Sequence, residues 1–172
     1  MQAPDFWYNP PERPGLRARV LSPLGRLYAA ATARRLAGGT QEMVGVPVIC
    51  IGNINAGGTG KTPTTIALIQ MLADLGIAAH VVSRGHGGRL EGPVRVSERE
   101  HTAADVGDEP LLLSAFGPAW VARDRVAGAR AAVQDGAQAI LLDDGFQNPG
   151  LAKDLSIVVV DARRGFGNGR CL

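Results

Sequence analysis

The residues best suited to chemistry lie in one glycine-rich segment, residues 52–63, with the sequence GNINAGGTGKTP. An apolar run precedes this segment and a helical pattern follows it, which is the layout of a phosphate-binding loop. In such a loop, backbone N–H groups and a helix N-terminus surround the phosphates of a nucleotide. Lys61 is expected to reach the β- and γ-phosphates, and the Thr62 hydroxyl to ligate Mg²⁺. The predicted nucleotide contacts are Asn55, Ala56, Gly57, Gly58, Thr59, Gly60, Lys61 and Thr62.

This loop departs from the usual pattern at two positions. Asn55 stands where a glycine is usual, and asparagine tolerates left-handed backbone angles better than most residues, so the turn remains possible. Ala56 stands where a variant class of ATPases carries a lysine before the paired glycines. The loop therefore favours nucleotide binding and argues against a partitioning ATPase.

A second set of oxygen ligands follows an apolar run at residues 137–142, which ends in Asp143 and Asp144. A strand that ends in aspartate is typical of the second half of a phosphate-loop site, where the carboxylate holds Mg²⁺ directly or through water. The alternative is one capping and one solvated aspartate. The pattern does not decide which of the two carboxylates contacts magnesium.

Asp108 and Glu109 open another helical pattern, with Pro110 in its first turn. Carboxylates at that position can simply complement the helix dipole. Alternatively, one can act as a catalytic base that takes a proton from an attacking hydroxyl, or as a further magnesium contact. Sequence reasoning leaves both interpretations open.

Three arginines are candidates for stabilising phosphate charge: Arg84, Arg123 and Arg125. A surface ion pair is the simpler interpretation for each of them except Arg84, because Arg84 lies in the glycine-rich turn 83–88. His86 lies in the same turn and is the histidine predicted to face the site.

Strand and helix patterns alternate along residues 41–172 and predict a parallel sheet with right-handed crossovers. Ligands then bind at the carboxyl ends of the strands, where the glycine-rich turns and the aspartates fall. The predicted strands cover 46–51, 78–83, 94–96, 119–122, 137–142 and 155–160, and the predicted helices cover 61–75, 109–116 and 125–134.

Residues 1–40 form a distinct N-terminal segment. Residues 1–15 are predicted to be extended, with Phe6, Trp7 and Tyr8 as a local anchor. Ser22 and Pro23 predict the start of a helix that runs to about residue 36. Its apolar stripe and its many arginines suit an amphipathic helix on an anionic membrane surface, and the alternative is a helix packed on the core. Arg35 falls near the apolar stripe.

Composition excludes several classes of function. A net charge of +2 and the lack of a long basic run argue against nucleic acid as a partner, and no obligate protein partner is evident. Cys50 and Cys171 form neither a disulfide framework nor a metal-binding pair, which suits a reducing cytoplasm. The first residues lack the pattern of a secretion signal, and no stretch is long and apolar enough to span a bilayer.

Taken together, these motifs resemble the N-terminal part of the tetraacyldisaccharide 4′-kinase (lipid A 4′-kinase) family. The resemblance covers nearly the whole chain in order. It runs through residues 6–8 (FWY), 23–28 (PLGRLY), 52–63 (GNINAGGTGKTP), 83–85 (SRG), 106–110 (VGDEP), 123–125 (RDR), 143–147 (DDGFQ) and 166–170 (FGNGR).

The resemblance implies ATP-dependent phosphorylation of the 4′-hydroxyl of a lipid A disaccharide 1-phosphate precursor, at the cytoplasmic face of the bacterial inner membrane. It implies that Asp108 is the base, that Glu109 with Asp143 or Asp144 is the magnesium set, and that the N-terminal helix docks on the membrane and the acceptor. The fold it implies is a phosphate-loop NTPase-like parallel sheet flanked by helices.

Three departures from the family accompany the resemblance. Asn148 stands where histidine is usual, and His86 stands where tyrosine is usual. Family members also continue into a second, smaller lobe, so the chain is expected to be a truncated form. The alternatives are a nucleotide-binding module or inactive remnant without transfer, and another phosphate-loop small-molecule kinase.

Overall fold

The structure is a computed structural model that describes residues 4–53, 59–163, 165, 166 and 168. The predicted nucleotide contacts Asn55, Ala56, Gly57 and Gly58 lie outside the described residues, as does Cys171. The helices are α1 (Gly15–Ala37), α2 (Lys61–Asp74), α3 (Ala103–Val106), α4 (Asp108–Ser114) and α5 (Arg125–Gln134), and the strands are β1 (Val48–Gly52), β2 (Ala79–Ser83), β3 (Val94–Arg95), β4 (Ala119–Val121), β5 (Ala139–Asp143) and β6 (Leu155–Val158).

The strands of the described residues form one sheet in the order β3-β4-β2-β5-β1-β6. All neighbouring pairs are parallel except β3 and β4, so the predicted parallel sheet is confirmed for the strands that surround the site. The short edge strand β3 is antiparallel because no helix separates β2 from β3. Without a crossover helix the chain returns from the carboxyl edge of the sheet and runs in the opposite direction.

Two hydrophobic layers cover the two faces of the sheet. Alternate strand residues point to opposite faces, so Val81 and Leu141 pack with α2, α3 and α4, whereas Val82 and Leu142 pack with α5. Every residue of β2 and β5 is buried, as expected for central strands covered on both sides. Burial also raises the pKa of the Cys50 thiol to about 11, so Cys50 is a neutral core side chain.

The N-terminal helix differs from its prediction in two ways. It begins at Gly15 and continues through Pro23, so the predicted start at Ser22 is wrong. Residues 16–21 are mostly good helix formers, and the helix extends over them while forgoing the backbone hydrogen bond that proline cannot donate.

Most of its large apolar side chains are exposed and do not pack on the core. Leu16, Val20, Leu24, Leu27 and Tyr28 are between 61% and 78% exposed, and only Ala18 and Gly25 of this helix are buried. No helix in the described part of the chain is both long and apolar enough to cross a membrane.

Three further differences are small. The predicted extended segment before Gly15 contains a 3₁₀ turn, Asp5–Tyr8, whose backbone oxygens at Phe6 and Trp7 accept hydrogen bonds from Asn168. The last strand ends at Val158, two residues early, and the short helix α3 falls where the sequence predicts a loop.

Candidate functional site

A cleft of about 620 Å³ lies at the carboxyl ends of β1, β2, β4 and β5. This is the edge of the sheet where a doubly wound fold binds its ligands. The side chains that line the cleft come from the turns after these strands and from the ends of α1, α4 and α5. They are Arg35, Asn53, Ser83, Arg84, His86, Asp108, Glu109, Pro110, Arg123, Arg125, Asp143, Asp144, Phe146, Gln147, Asn148 and Pro149.

The end of the phosphate loop enters α2 through Gly60, whose φ of +92° is left-handed. Lys61 is the first residue of α2, and its Nζ lies 3.0 Å from Asn53 Oδ1 and 3.2 Å from Asp144 Oδ1. The ammonium group therefore joins the carboxyl ends of β1 and β5. A phosphate arriving at this position would meet a positive charge that is already fixed in place.

Thr62 links α2 to α4. Its Oγ1 donates a hydrogen bond of 2.5 Å to Glu109 Oε1. The predicted magnesium ligands Thr62 and Glu109 are thus in direct contact, although 47 residues separate them in the chain.

Asp143 and Asp144 occupy different environments. Asp143 is 1% exposed, and its Oδ2 accepts a hydrogen bond of 3.2 Å from Ser83 Oγ. Its Oδ1 is buried and has no hydrogen-bond partner among the described residues. Burial, and then the charge of Glu109, raises the pKa of Asp143 to about 6. Asp144 has a 64% exposed side chain that pairs with Lys61.

These oxygen donors fit Mg²⁺. An orphaned, buried carboxylate oxygen beside a second carboxylate is a place where a cation would relieve an uncompensated charge. In the described part of the chain, no three acidic, histidine or cysteine side chains converge closely enough to hold a metal alone. Magnesium is usually held in proteins by one or two carboxylates together with water and substrate phosphates.

Asp108 is the first residue of α4 and lines the cleft. A tight turn at Gly107 sets its position, with φ of +90° and ψ of 155°. A Cβ at Gly107 would lie 2.6 Å from the carbonyl oxygen of His86, so the turn after β2 packs directly against the start of α4. This close packing brings His86 and Asp108 into the same cleft.

The short helix before this turn is anchored by its own capping box. Asp105 Oδ2 accepts hydrogen bonds from the backbone N–H and the hydroxyl of Thr102, and Arg89 pairs with Oδ1. These hydrogen bonds, those of Thr102 first, hold the pKa of Asp105 well below its usual range. Asp105 therefore supports the position of Asp108 and does not face the cleft.

The three predicted arginines all line the cleft, but they differ in burial. Arg84, directly after β2, is exposed. Arg123 is exposed and pairs with Glu91 at 2.5 Å, which is the surface ion pair that the simpler interpretation predicts. Arg125 is 6% exposed, so that interpretation is wrong for this residue. Its Nη1 donates to the oxygen of Ala122, its Nε has no partner among the described residues, and burial followed by the charge of Arg84 lowers its pKa.

Sequence reasoning missed two contributors to the cleft. Arg35 reaches it from the last turn of α1, and the segment after Asp144 supplies Phe146, Asn148 and Pro149. The signal for Arg35 was its position near an apolar stripe, where a charge is out of place. No sequence signal pointed to Phe146, whose ring packs against Gly52 so closely that a Cβ there would lie 2.7 Å from it.

Asn148, where the resemblance expects histidine, closes the turn after β5. Its Oδ1 accepts hydrogen bonds from the backbone N–H groups of Gly150 and Leu151, at 3.0 and 3.1 Å. Asparagine is well suited to such local bonds.

A parallel sheet, a left-handed glycine before a Lys-Thr helix start, and a buried aspartate at the end of the neighbouring strand occur together in phosphate-loop nucleotide-binding proteins. The chain is a member of that class. The sequence model of the tetraacyldisaccharide-1-P 4′-kinase family (LpxK) matches residues 17–172. The chain belongs to this family.

Relatives with the name tetraacyldisaccharide 4′-kinase agree with this assignment. One from Dinoroseobacter shibae is 73% identical over the whole chain, and one from Jannaschia sp. is 66% identical over the whole chain. The chain covers 51% and 52% of these two proteins, so it spans about half the length of the curated relatives it matches.

A solved structure shows the same fold. It is LpxK from Aquifex aeolicus in complex with ATP, which matches with a TM-score of 0.68 and 27% sequence identity. The match covers 82% of this chain and 46% of the Aquifex chain.

Proposed function

We propose that the chain carries the nucleotide site and catalytic base of a kinase that phosphorylates the 4′-hydroxyl of a tetraacyl disaccharide 1-phosphate, a lipid A precursor. The observation that carries this proposal is a cleft lined by Asp108, Glu109 and Asp143, in a member of this family. Lys61 and Thr62 contact the lining of this cleft, Lys61 through Asp144 and Thr62 through Glu109. The acceptor's 4′-oxygen bonds to the γ-phosphorus of ATP, the bond from that phosphorus to the β–γ bridging oxygen breaks, and ADP leaves.

The nucleotide contacts are residues 55–62, as the loop pattern predicts. Lys61 carries a positive charge to the β- and γ-phosphates, and its present partner Asp144 holds it in position. Arg84, in the turn after β2, supports the charge on the transferred phosphoryl group from another side of the cleft. Phosphoryl transfer depends mainly on such positioning and charge neutralisation.

Magnesium would be held by Thr62, Glu109, Asp143 and Asp144. When bound, the ion neutralises charge on the β- and γ-phosphate oxygens. Asp143 presents a buried carboxylate oxygen without a partner among the described residues, and Thr62 and Glu109 present a hydroxyl and a carboxylate that already touch. Asp144 lies at the exposed edge of this set.

Asp108 takes the proton of the acceptor hydroxyl as the new bond forms. It lines the cleft at the start of α4, next to the magnesium candidate Glu109, so a hydroxyl at its carboxylate would face the γ-phosphate. A positioned base of this kind contributes about 10²- to 10⁴-fold to the rate.

The N-terminal segment, residues 1–40, would dock on the membrane and on the acceptor's acyl chains, and residues 41–172 would form the kinase core. An apolar groove of about 360 Å³ lies between α1 and the 3₁₀ turn. The exposed leucines Leu21 and Leu24 line it together with Phe6 and Trp7. An apolar, arginine-rich surface of this kind suits an anionic bilayer interface. Peripheral binding at the cytoplasmic face of the inner membrane is the localisation we propose.

A second candidate is a nucleotide-binding module that binds ATP without transferring phosphate. The observation that favours it is that contacts on the nucleotide side, Lys61 with Asn53 and Thr62 with Glu109, form within the described residues. A different phosphate-loop small-molecule kinase is less well supported, since the family match extends across the acceptor side of the cleft.

Transfer of labelled phosphate from ATP to detergent-solubilised disaccharide 1-phosphate tests the proposal, with Lys61→Ala and Asp108→Asn as variants. We expect transfer by the wild type and none by Lys61→Ala. We expect a loss of about 10²-fold or more for Asp108→Asn, with ATP affinity unchanged.

Each other outcome has a distinct meaning. Transfer by Lys61→Ala would contradict the assignment of the loop. Weaker ATP binding by Asp108→Asn would make Asp108 a nucleotide or metal contact. ATP binding by the wild type without any transfer would favour the module.

A further inference from the structure

The cleft has two walls of different charge. One wall consists of the starts of α2 and α4, which pack on the same face of the sheet and carry Lys61, Asp108 and Glu109. The other wall lies on the α5 face and is basic. It is built from the start of α5, the turn after β5 and the last turn of α1.

Contacts fix the end of α1 on this second wall. A Cβ on Gly39 would lie 2.5 Å from the Pro149 side chain, so the residues after α1 touch the turn after β5. Glu42 forms an ion pair with Arg130 of α5. The last turn of α1 is therefore held over the α5 side of the cleft, across from Asp108.

Arg35 is the residue of α1 that lines the cleft. It is exposed, and no carboxylate among the described residues pairs with it. Arg125 adds a second positive charge to the same wall, with an Nε that has no partner among the described residues although the residue is 6% exposed. Burial, and then the nearby charge of Arg84, lowers the pKa of Arg125.

We propose that Arg35 binds the 1-phosphate of the disaccharide acceptor and so helps the kinase select phosphorylated acceptors. This inference rests on the proposed function. In that reaction the 4′-hydroxyl must lie at Asp108, and the 1-phosphate is at the opposite end of the disaccharide, which places it toward the far wall. Guanidinium groups bind phosphate oxygens through two parallel hydrogen bonds, and Arg35 has its donors available for them.

The chain offers a matched control in Arg34. Arg34 and Arg35 are adjacent, both are exposed, and both lie in the last turn of α1, but only Arg35 lines the cleft. Removal of either charge therefore changes the net charge and the helix end equally. A difference in acceptor preference between the two variants therefore reflects the position of Arg35 in the cleft.

The experiment compares wild type, Arg35→Ala and Arg34→Ala with acceptors that carry or lack the 1-phosphate, in neutral detergent without anionic lipid. We expect Arg35→Ala to lower kcat/KM for the phosphorylated acceptor by about tenfold. We expect little change for the dephosphorylated acceptor and an unchanged KM for ATP. Because Arg34 belongs to the docking helix, any loss from Arg34→Ala should be equal for the two acceptors, so it should not change the preference for the 1-phosphate. Binding of both acceptors in the same micelles is measured in parallel, by co-elution in gel filtration.

Several outcomes would overturn the proposal. Equal losses with both acceptors would give Arg35 a structural role, and a raised KM for ATP would make it a nucleotide contact. An effect that appears only when anionic lipid is added would place Arg35 on membrane headgroups. If the wild type transfers no phosphate, the proposed function fails, and the binding measurement still decides the role of Arg35. In that case, two binding results would contradict the role of Arg35. Either the wild type binds both acceptors equally, or Arg35→Ala keeps the wild-type preference for the acceptor with the 1-phosphate.

Discussion

Asp143 places a carboxylate in a nearly closed space between β2 and α4, where one oxygen bonds to Ser83 and the other has no partner among the described residues. Its pKa is raised to about 6, from an ordinary value of 3.8. The folded state therefore holds a proton on Asp143 more tightly than the unfolded chain does. By linkage, the carboxyl group favours folding at low pH, and stability is lost as pH rises from 3.8 through about 6.

We predict that Asp143→Asn stabilises the protein in the absence of nucleotide and magnesium, by about 1 to 3 kcal/mol at neutral pH. The amide removes the buried charge and keeps an oxygen that can accept from Ser83. The gain in free energy of unfolding should shrink as pH falls from 6 toward 4, which denaturant titrations at several pH values would measure.

The matched control is Asp144→Asn, because Asp144 is adjacent to Asp143 but has a side chain that is 64% exposed. We expect no comparable stabilisation from that change. If Asp143→Asn destabilised the protein at neutral pH, the carboxylate would be compensated by groups that the described contacts do not include.

At the scale of elements, the turn between α3 and α4 sets the position of the proposed base. Gly107 has φ of +90° and ψ of 155°, a region that essentially only glycine occupies, and its missing side chain admits the His86 carbonyl. We predict that Gly107→Ala destabilises the fold by about 2 kcal/mol or more, because both backbone strain and a steric clash oppose it. It should also lower transfer activity, because Asp108 is displaced.

Gly136→Ala is the control that distinguishes backbone strain from the steric clash with the His86 carbonyl. Gly136 also has a positive φ, of +96°, but a Cβ there would meet nothing within 4 Å. Thermal unfolding of the two variants would show the larger loss for Gly107→Ala. Equal losses with full activity would contradict a role for the close packing at His86.

The exposed face of α1 gives a second prediction at this scale. Leu24 is 64% exposed, and its burial in a bilayer interface would contribute about 1.5 to 3 kcal/mol. We expect Leu24→Asp to weaken binding to anionic vesicles by about tenfold or more, and to leave the melting temperature unchanged. Met71→Asp, at a 61% exposed position on α2, is the control and should keep wild-type binding in a vesicle sedimentation assay.

In the molecule as a whole, side chains from the ends of four strands line the cleft. A ligand bound there contacts all four strands and stabilises the folded state. We predict that MgATP at about 100 times its dissociation constant raises the free energy of unfolding by about 2.7 kcal/mol. Lys61→Ala should fold but lose most of this stabilisation. Differential scanning fluorimetry with and without nucleotide would measure it, and an equal shift in the variant would contradict binding at the loop.

Much of this architecture was predictable from the sequence. Buried parallel strands read as apolar runs, and those that end at Gly52, Ser83 and Asp143 could be located for that reason. Because parallel strands present their carboxyl ends at one edge, the meeting of Lys61 and Asp143 followed from the strand pattern. Asp108 opens a helix, and its place in the site was expected only from the resemblance.

What the sequence did not reveal depends on contacts between distant segments. The burial of Arg125 and its bond to Ala122 arise from how α5 packs, and the arrival of Arg35 depends on where the end of α1 is held. The early start of α1 was missed because Ser22 and Pro23 form a good local start signal, which the helix overrides. The difference between Asp143 and Asp144 required the side-chain environment of each.

The contact between Gly52 and the Phe146 ring restricts the order in which these positions can change during evolution. A side chain at position 52 would overlap the ring, since its Cβ would lie 2.7 Å from a ring carbon. A lineage can therefore acquire alanine at 52 without penalty only after position 146 has become smaller, and the reverse order passes through a damaged intermediate. Two positions that are far apart in the sequence but in contact in the fold thus constrain each other's evolution, and the aromatic residue must change first.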